Sequence, residues 1–270
     1  MAITNFIPQV WSARLQENLQ KELVFGSLCN RNYEGDIAQW GDTVHINTLN
    51  DITVKPYDPS VEIADPEQLS GTDLTLTIDH GAYYNFFVND ADAVQARADL
   101  MEAAMRNAAY RLAADAENYI INVITEGAGT KAELDFPAEE NGGLYAMMVD
   151  LKVAMDAAGV PRQNRKLIMP LMMESVLMMD ERFITYASSN GEKLPEGAVA
   201  HAVGFDIYVS HDLTNQIITM IPDAVTFANQ ITKVDAYRPE KGFCDGVKGL
   251  CLSGAKVTIP DAVGVYVFNS

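Results

Sequence analysis

The sequence predicts an α+β fold, in which helices pack beside a mixed sheet. Three observations support this class. A stretch rich in alanine, from about residue 91 to residue 126, contains no glycine or proline and is typical of one long helix. Segments that alternate between apolar and polar residues precede it, as half-buried strands do. Short apolar strands and two further helical segments follow it.

The composition is that of a globular chain with an acidic surface. The 270 residues include 48% apolar and 21% charged residues, which is enough for a sizeable core. The 37 acidic and 19 basic residues give a net charge of −18, which disfavours binding to nucleic-acid phosphates. Three cysteines without metal-binding spacing indicate a reducing compartment. No segment is apolar enough to span a bilayer, and we find no secretory signal.

The first 40 residues are typical of an arm rather than a domain. Trp11, Leu15 and Leu19 recur every four residues and predict one amphipathic helix. The apolar face of this helix is too small to form a core by itself. It packs either on the body of its own chain or on a neighbouring subunit, and the sequence leaves both alternatives open.

Two segments with alternating apolar residues come next and predict paired strands: Val44 and Ile46 in the first, and Leu74, Leu76 and Ile78 in the second. Roughly 25 residues with three prolines separate them, too many for a tight turn. We therefore expect a projecting two-stranded arm.

The long helix is predicted to begin after an N-cap at Asn89 or Asp90 and to end at Gly127. Helices of this length serve as coiled coils or as spines, and the mixed charges here favour a spine lying across a sheet. Its apolar residues form one continuous stripe: Val94, Met101, Met105, Ala108, Leu112, Ala116, Tyr119 and Val123.

The later elements are shorter. Helices are predicted over Leu144–Ala158, ended by Gly159, and over Leu171–Met179, after Pro170. Strands are predicted at Arg165–Met169, Gly204–Ser210 and Ile217–Ile221, and near Val234–Tyr237, Leu250–Leu252, Lys256–Thr258 and Gly264–Phe268.

Methionines are concentrated in the same region. They indicate either an adaptable core filling or a packing surface that accepts more than one neighbour geometry. The cluster comprises Met147, Met148, Met155, Met169, Met172, Met173, Met178 and Met179.

No residue pattern indicates a reaction centre. The glycine-containing segment 127–131 follows a helix rather than preceding one, so it does not resemble a phosphate-binding loop. Of the four histidines, only His201 and His211 are near one another, with Asp206 and Asp212 close by, and no spacing forces them together. We expect no catalytic, cofactor-binding or metal-binding residue and no enzymatic activity.

Short motifs occur in a distinctive order along the whole chain: Asn5–Pro8, Trp11–Leu15, Tyr33–Asp36, Gly41–Ile46, the helix from Ala91, Val160–Pro161, Arg165–Pro170, Phe183, Gly204–Ser210, Phe227–Ile231, Asp245–Leu250 and Gly254–Val257. Each is short and apolar, but their joint order is specific. It resembles the major capsid proteins of tailed double-stranded DNA bacteriophages, which have the Hong Kong 97-type capsid fold.

The resemblance implies a division of the chain into an N-terminal arm, an extended β-hairpin loop, a long spine helix, and peripheral and axial domains. The boundaries that it implies are 1–40 for the arm, 41–88 for the loop with flanking strands, 89–143 for the peripheral domain with the spine helix, 144–231 for the axial domain, 232–255 for the returning peripheral strands and 256–270 for the final axial strand.

The resemblance also implies a structural role. Copies of the chain would form the hexamers and pentamers of an icosahedral head around double-stranded DNA, with the DNA contacted non-specifically at the inner surface. Expected partners are a scaffolding protein, a portal and a decoration protein, but no membrane. The chain would be made in the bacterial cytoplasm and reside in the virion. Candidate subunit contacts are Trp11, Leu15, Leu19, Lys55, Tyr57, Ile63 and Leu69.

Two departures from the family pattern matter. Some members carry a scaffolding segment before the arm, whereas here the arm begins at Met1, so we expect a separate scaffolding protein. Some members cross-link a loop lysine to an asparagine. Lys55 is the only loop lysine, it precedes Pro56, and it has no recognisable partner, so we expect no cross-linking.

Two alternatives to the capsid interpretation stay open. An encapsulin-like nanocompartment shell has the same fold but encloses an enzyme, although no cargo-docking motif is recognised. An enzyme could assemble a site from distant residues such as His201, His211 and Asp206.

Overall fold

The computed structural model describes residues 24–34, 39–49, 52–54, 71–89, 99–135, 143–179, 197–239 and 244–268. The helices are α1 (Val24–Leu28), α2 (Asp99–Gly127), α3 (Gly143–Ala157) and α4 (Leu171–Met179). The strands are β1 (Thr43–Leu49), β2 (Gly71–Thr77), β3 (His80–Asn89), β4 (Thr130–Leu134), β5 (Lys166–Pro170), β6 (Ala200–Ala202), β7 (Phe205–Ser210), β8 (Gln216–Met220), β9 (Val225–Tyr237), β10 (Cys244–Val257) and β11 (Gly264–Phe268).

A six-stranded mixed sheet forms the centre of the larger core, in the order β4-β11-β8-β5-β7-β6. Strands β5 and β7 are parallel, as are β11 and β4, and the other neighbours are antiparallel. Every residue of β5 is buried, because both faces of this central strand are covered. The predicted α+β class is confirmed.

A second, antiparallel sheet has the order β3-β10-β9, and α2 lies across one of its faces. Met105, Ala109 and Leu112 of the helix pack with Val247 and Cys251 of β10. The helix is therefore a spine on a sheet, as its mixed charges predict. Its predicted end at Gly127 is confirmed, and its predicted start at residue 91 lies outside the described residues.

The carboxyl-terminal half of α2 enters the larger core. Ile120 and Ile124 are fully buried there, together with Phe25 of α1. At this end of the predicted stripe, Tyr119 and Val123 pack against the larger core but are only half-buried. The buried line drifts by one residue because the helix meets the second sheet with one part of its surface and the larger core with another.

The predicted hairpin is confirmed as an antiparallel pair of β1 and β2. Val44 lies opposite Leu76 and Ile46 opposite Leu74, so the apolar residues of both strands share one face. Residues 55–70, between the strands, lie outside the described residues.

Both helices predicted after the spine are confirmed as α3 and α4, and Pro170 does close strand β5. Gly159 follows α3 with φ +73°, a conformation that favours glycine. On α3, Val153 is exposed and does not belong to the core stripe.

The long strands β9 and β10 correct the prediction of several short strands in the tail. Glycines interrupt the apolar pattern of β10, yet two of them allow an aromatic ring to lie directly against the backbone. The Tyr237 ring lies over Gly246 and the Tyr84 ring over Gly249, at distances that a Cβ atom would not permit. Strands β3, β4 and β6 are not predicted from the sequence either. Both faces of β3 carry aromatic residues, β4 is mostly exposed, and β6 has only three residues.

Candidate assembly surfaces

The seven predicted contact residues, Trp11, Leu15, Leu19, Lys55, Tyr57, Ile63 and Leu69, all lie outside the described residues. Their role stays a prediction. The described residues instead present three exposed apolar surfaces, of which the sequence analysis considered only the methionine-rich one as a possible packing surface.

The first is the hairpin surface, formed by Ile52 and Val54, which follow the end of β1. Val54 is 91% exposed and Ile52 67%, although both are branched apolar residues that ordinarily lie inside. Covering these side chains with another surface removes apolar area from water and so lowers the free energy of the system.

The root of the hairpin is fixed to the spine helix by polar contacts. His80 Nε2 lies 2.7 Å from Asp115 Oδ2, and the His80 ring stacks on Tyr119 with centroids 4.3 Å apart. The Tyr119 hydroxyl donates to Asp79 Oδ1 at 2.6 Å. Fully buried Ile78 adds an apolar contact to the same region. The root of the hairpin is thus held both by α2 and by the second sheet, where Ile78 packs with Ala228 and Leu252.

The second is the β3 surface, formed by Tyr83, Phe87 and Leu250 on the side of the second sheet that faces away from α2. Tyr83 is 78% exposed and Phe87 62%. Next to them, the Tyr237 hydroxyl donates to Asn85 Oδ1 at 2.7 Å, which holds the polar part of the surface in place. The inward positions of β3 are also apolar, so this strand has the composition of one covered on both faces.

The third is the α4 surface, formed by Leu171, Met172, Met178 and Met179. Their side chains are exposed while Met173 and Leu177 on the opposite side of the helix are buried. The predicted core-filling role is therefore confirmed for part of the cluster, and the exposed methionines keep the packing-surface role as a prediction. The core-filling ones are Met147, Met148, Met155, Met169 and Met173.

The β3 and α4 surfaces have little negative charge, in contrast to the chain as a whole. On the face of the sheet that carries the β3 surface, Lys248 of β10 forms an ion pair with Asp235 of β9. Strand β3 contains no Asp, Glu, Lys or Arg, and Glu174 is the single charged residue of α4. Two molecules that each carry −18 can approach most favourably where acidic groups are absent. The low charge therefore favours contact with further copies of this chain.

A polar cluster joins three strands of the large sheet. Asp206 accepts a hydrogen bond from Lys166 Nζ at 2.7 Å and lies 2.7 Å from His201 Nδ1. Burial alone would raise the pKa of Asp206, but the bonds from Lys166 and His201 outweigh it and hold that pKa below its usual value. Burial likewise opposes the ammonium of Lys166, and its bonds to Asp206 and Tyr208 outweigh that effect, so its pKa is raised.

This cluster acts as a brace between β5, β6 and β7. His201 and Asp206 do meet, because they are register partners in the β6–β7 pair. His211 is exposed and Asp212 bonds elsewhere, to Glu117. The four residues considered for an enzymatic site therefore do not form one group.

We expect Asp206→Asn to lower the free energy of unfolding by about 1–3 kcal/mol, because it leaves the Lys166 ammonium without its carboxylate. Urea unfolding at pH 7 measures the change. His211→Ala, at an exposed position nearby, is the control and should be neutral. Equal effects of the two substitutions would contradict the brace.

The thiols and remaining acids give no sign of a reaction centre in the described part of the chain. Burial raises the pKa of Cys29 and of Cys251 to about 12, so both stay protonated at neutral pH. Among the described residues, no three His, Cys, Asp or Glu side chains are grouped so that they could hold a metal ion. None of the helices described here has the length and apolar character needed to cross a membrane.

Comparison with known proteins finds similarity at the level of structure. No protein-family model and no curated protein matches the sequence. A structure from Mycobacterium phage Che8 superimposes with a TM-score of 0.73 and 27% identity, covering 90% of each chain. The capsid structure of the cyanophage P-SCSP1u gives a TM-score of 0.71 at 14% identity, over 92% of this chain and 88% of the other.

A third match is the virus-like particle from Pyrococcus furiosus, with a TM-score of 0.62, 15% identity, and 97% and 99% of the two chains covered. All three matches span nearly the whole chain. The architecture of the chain is the Hong Kong 97-type capsid fold, and its structural neighbours include phage major capsid proteins.

Proposed function

We propose that this chain is a major capsid protein whose copies form the hexamers and pentamers of an icosahedral phage head around a double-stranded DNA genome. The fold supports a shell role, since capsids recur among its structural neighbours. The role is structural, and no residue is assigned to catalysis.

The observation that carries this proposal is the set of exposed apolar surfaces with little negative charge on a strongly acidic chain. Stable protein interfaces bury about 1,600 Å² in total. Charge repulsion between copies is screened beyond about 8 Å at physiological salt, so only local charges oppose contact. The β3 and α4 surfaces have few such charges, and hydrophobic burial there stabilises association.

The methionines of the α4 surface suit a subunit that meets its neighbours in two settings. Pentamers and hexamers place adjacent copies at different angles, so the same surface must pack in two ways. Met172, Met178 and Met179 have flexible, unbranched side chains that adapt to such differences.

The further parts of the proposal follow from the family. Residues 1–40 act as an arm and 41–88 as an extended loop. Residues 89–143 and 232–255 form the peripheral domain, and 144–231 with 256–270 the axial domain. A separate scaffolding protein guides assembly, a portal occupies one vertex, and a decoration protein binds outside. Because the chain is acidic, we expect its contact with packaged DNA to be non-specific and a motor to force the genome in.

A nanocompartment shell is the second candidate. The nearly complete mutual coverage with the Pyrococcus furiosus virus-like particle supports the view that this fold also builds particles other than phage heads, although 15% identity supports the fold alone. The two candidates differ in whether assembly needs a scaffolding protein and in whether the shell encloses a genome or an enzyme.

Expression of the chain with and without its scaffolding partner, followed by electron microscopy and mass spectrometry of the contents, separates them. We expect closed shells only with the scaffolding protein, and no bound enzyme. Shells that form from the chain alone around a stoichiometric cargo enzyme would contradict the phage-head proposal and support the nanocompartment.

A further inference from the structure

Strand β3 is an edge of the second sheet, and nothing in its sequence protects that edge. In the described part of the chain it pairs only with β10, through ten consecutive register pairs without a bulge. Proteins usually protect edge strands with charged side chains, prolines or bulges, because the free N–H and C=O groups can pair with another chain. Strand β3 contains no Asp, Glu, Lys, Arg or Pro. It therefore has the properties of a strand that accepts a further strand.

The other edge strands that the structure describes are protected or short. The pairing of β9 with β10 contains a register shift, and β9 carries Asp235. In the six-stranded sheet, edge strand β4 contains Lys131 and Glu133, and β6 has only three residues. The hairpin strands carry the ion pair of His45 with Asp73. The unprotected edge of β3 is thus a local feature and not a general property of this chain.

A cavity of about 510 Å³ follows this edge. Residues 82–86 of β3 line it on one side, and residues of α2 line it on the other. Successive side chains of a strand point to opposite faces, so five consecutive residues can line one cavity only where that cavity runs along the edge of the strand. The cavity is therefore a groove between the free edge of β3 and the spine helix.

Two features keep the groove open. The Tyr84 ring lies over Gly249, its register partner on β10, at a distance that a Cβ atom would not permit. The ring thus leans away from the free edge of the strand. On the other side, α2 contributes Ala104 and Ala108, whose side chains are single methyl groups. The space beside β3 is therefore left by small residues on both walls.

We propose that β3 of one copy pairs antiparallel with β3 of a second copy, across a two-fold axis perpendicular to the sheet. The groove lining contains one cation and one anion, Arg111 and Asp115, so it offers no net charge to an acidic strand. A partner that carries −18 can place a strand here only where that strand is itself uncharged, and β3 meets this condition over ten residues. The pairing would be self-complementary, as two-fold contacts are.

The pairing would join two three-stranded sheets into one of six strands, with both α2 helices on the same face. A strand of ten residues is about 34 Å long, and a contact of that length and one sheet thickness buries about 700 Å² in total. This is less than the roughly 1,600 Å² of a standard interface, so the pair forms transiently between free copies. That other contacts make it permanent in a shell rests on the proposed function, whereas the pairing itself does not.

Disulfide trapping in the unassembled full-length chain tests the pairing. Tyr83→Cys, Asn85→Cys and Phe87→Cys lie on the face of β3 away from α2 and are incubated in a glutathione redox buffer, singly and in pairwise mixtures. In a self-paired antiparallel strand, the numbers of two facing residues have a constant sum. We therefore expect one register to exceed the others by about tenfold in dimer yield. If Asn85 lies on the axis, Asn85→Cys alone and the mixture of the other two variants give the dimers.

The controls separate pairing from random collision. The native thiols of Cys29, Cys244 and Cys251 are buried, so we expect no disulfide dimer from the wild type. Val153→Cys, at an exposed position of α3 outside the groove, gives the collision yield. Equal yields from every combination of the β3 variants, or yields no higher than that of Val153→Cys, would overturn the pairing. Because free chain is used, the result does not depend on whether shells form.

Discussion

Replacing residues 50–70 with an Asn-Gly turn should leave a folded body that no longer forms closed shells. Leu49 and Gly71 are register partners, so a two-residue turn can join β1 to β2 without shifting their pairing. The change removes exposed Ile52 and Val54, and all the core residues found in the described part of the chain lie outside 50–70. Thermal unfolding followed by circular dichroism measures the first effect, and electron microscopy with the scaffolding protein the second.

Lys55→Gln is the matched control, since it keeps the loop length and its apolar residues. We expect normal shells from this variant, and monomer-sized bands from wild-type and variant particles after boiling in denaturant. Normal shells from the shortened chain would remove the proposed role of the loop. A ladder of bands from wild-type particles alone would show that Lys55 cross-links subunits.

Gly254→Ala should lower the free energy of unfolding by about 2–3 kcal/mol, close to the upper end for overpacking a core. A Cβ atom at this position would lie 2.6 Å from the backbone oxygen of Thr77 and 2.7 Å from Ile78 Cδ1. The oxygen cannot move without displacing the root of the hairpin. Urea unfolding measures the loss of stability.

Gly81→Ala is the control for this substitution within the same sheet. Its Cβ atom would meet the Trp40 ring at 2.6 Å, but Trp40 is 61% exposed and can turn away. We expect a cost below about 1 kcal/mol there. Similar losses in both variants would show that backbone crowding at Gly254 does not determine the effect.

Sequence patterns predict the helices and strands that bury one face and expose the other to solvent. Alternation at Val44 and Ile46 identifies β1, because β1 and β2 have one apolar face. Gly127 and Gly159 mark helix ends, because the chain leaves each helix there. These signals depend only on residues that are close in sequence, so they can be recognised without knowledge of the tertiary structure.

Where tertiary contacts replace the local pattern, the prediction fails. Gly246 and Gly249 interrupt the apolar pattern of β10, yet they are required by rings from β9 and β3. Strand β3 does not alternate, because Tyr83 and Phe87 are apolar on the outward face. The absence of alternation is itself informative, since it is expected of a strand whose second face is covered by another molecule.

The assembly surfaces and the burial of Glu117 depend on contacts between distant parts of the chain. Glu117 has no local signal, because a single Glu on an alanine-rich helix is ordinarily exposed. Its burial depends on α1 and on Asp212, which only the tertiary structure brings to it. On α4, a run of methionines cannot by itself distinguish Met173, which is buried, from Met172, which is exposed.

The central claim is that copies of this chain cover its β3 and α4 surfaces. Oxidative footprinting tests it most directly, by comparing the labelling of assembled shells with that of dissociated subunits. Labelling of Tyr83, Phe87, Met172, Met178 and Met179 should fall several-fold on assembly, while that of exposed Tyr110 on the spine helix provides a reference outside the three surfaces. Unchanged labelling of all five in intact shells, or a chain that stays a single 29.6 kDa species beside its scaffolding protein, would contradict this.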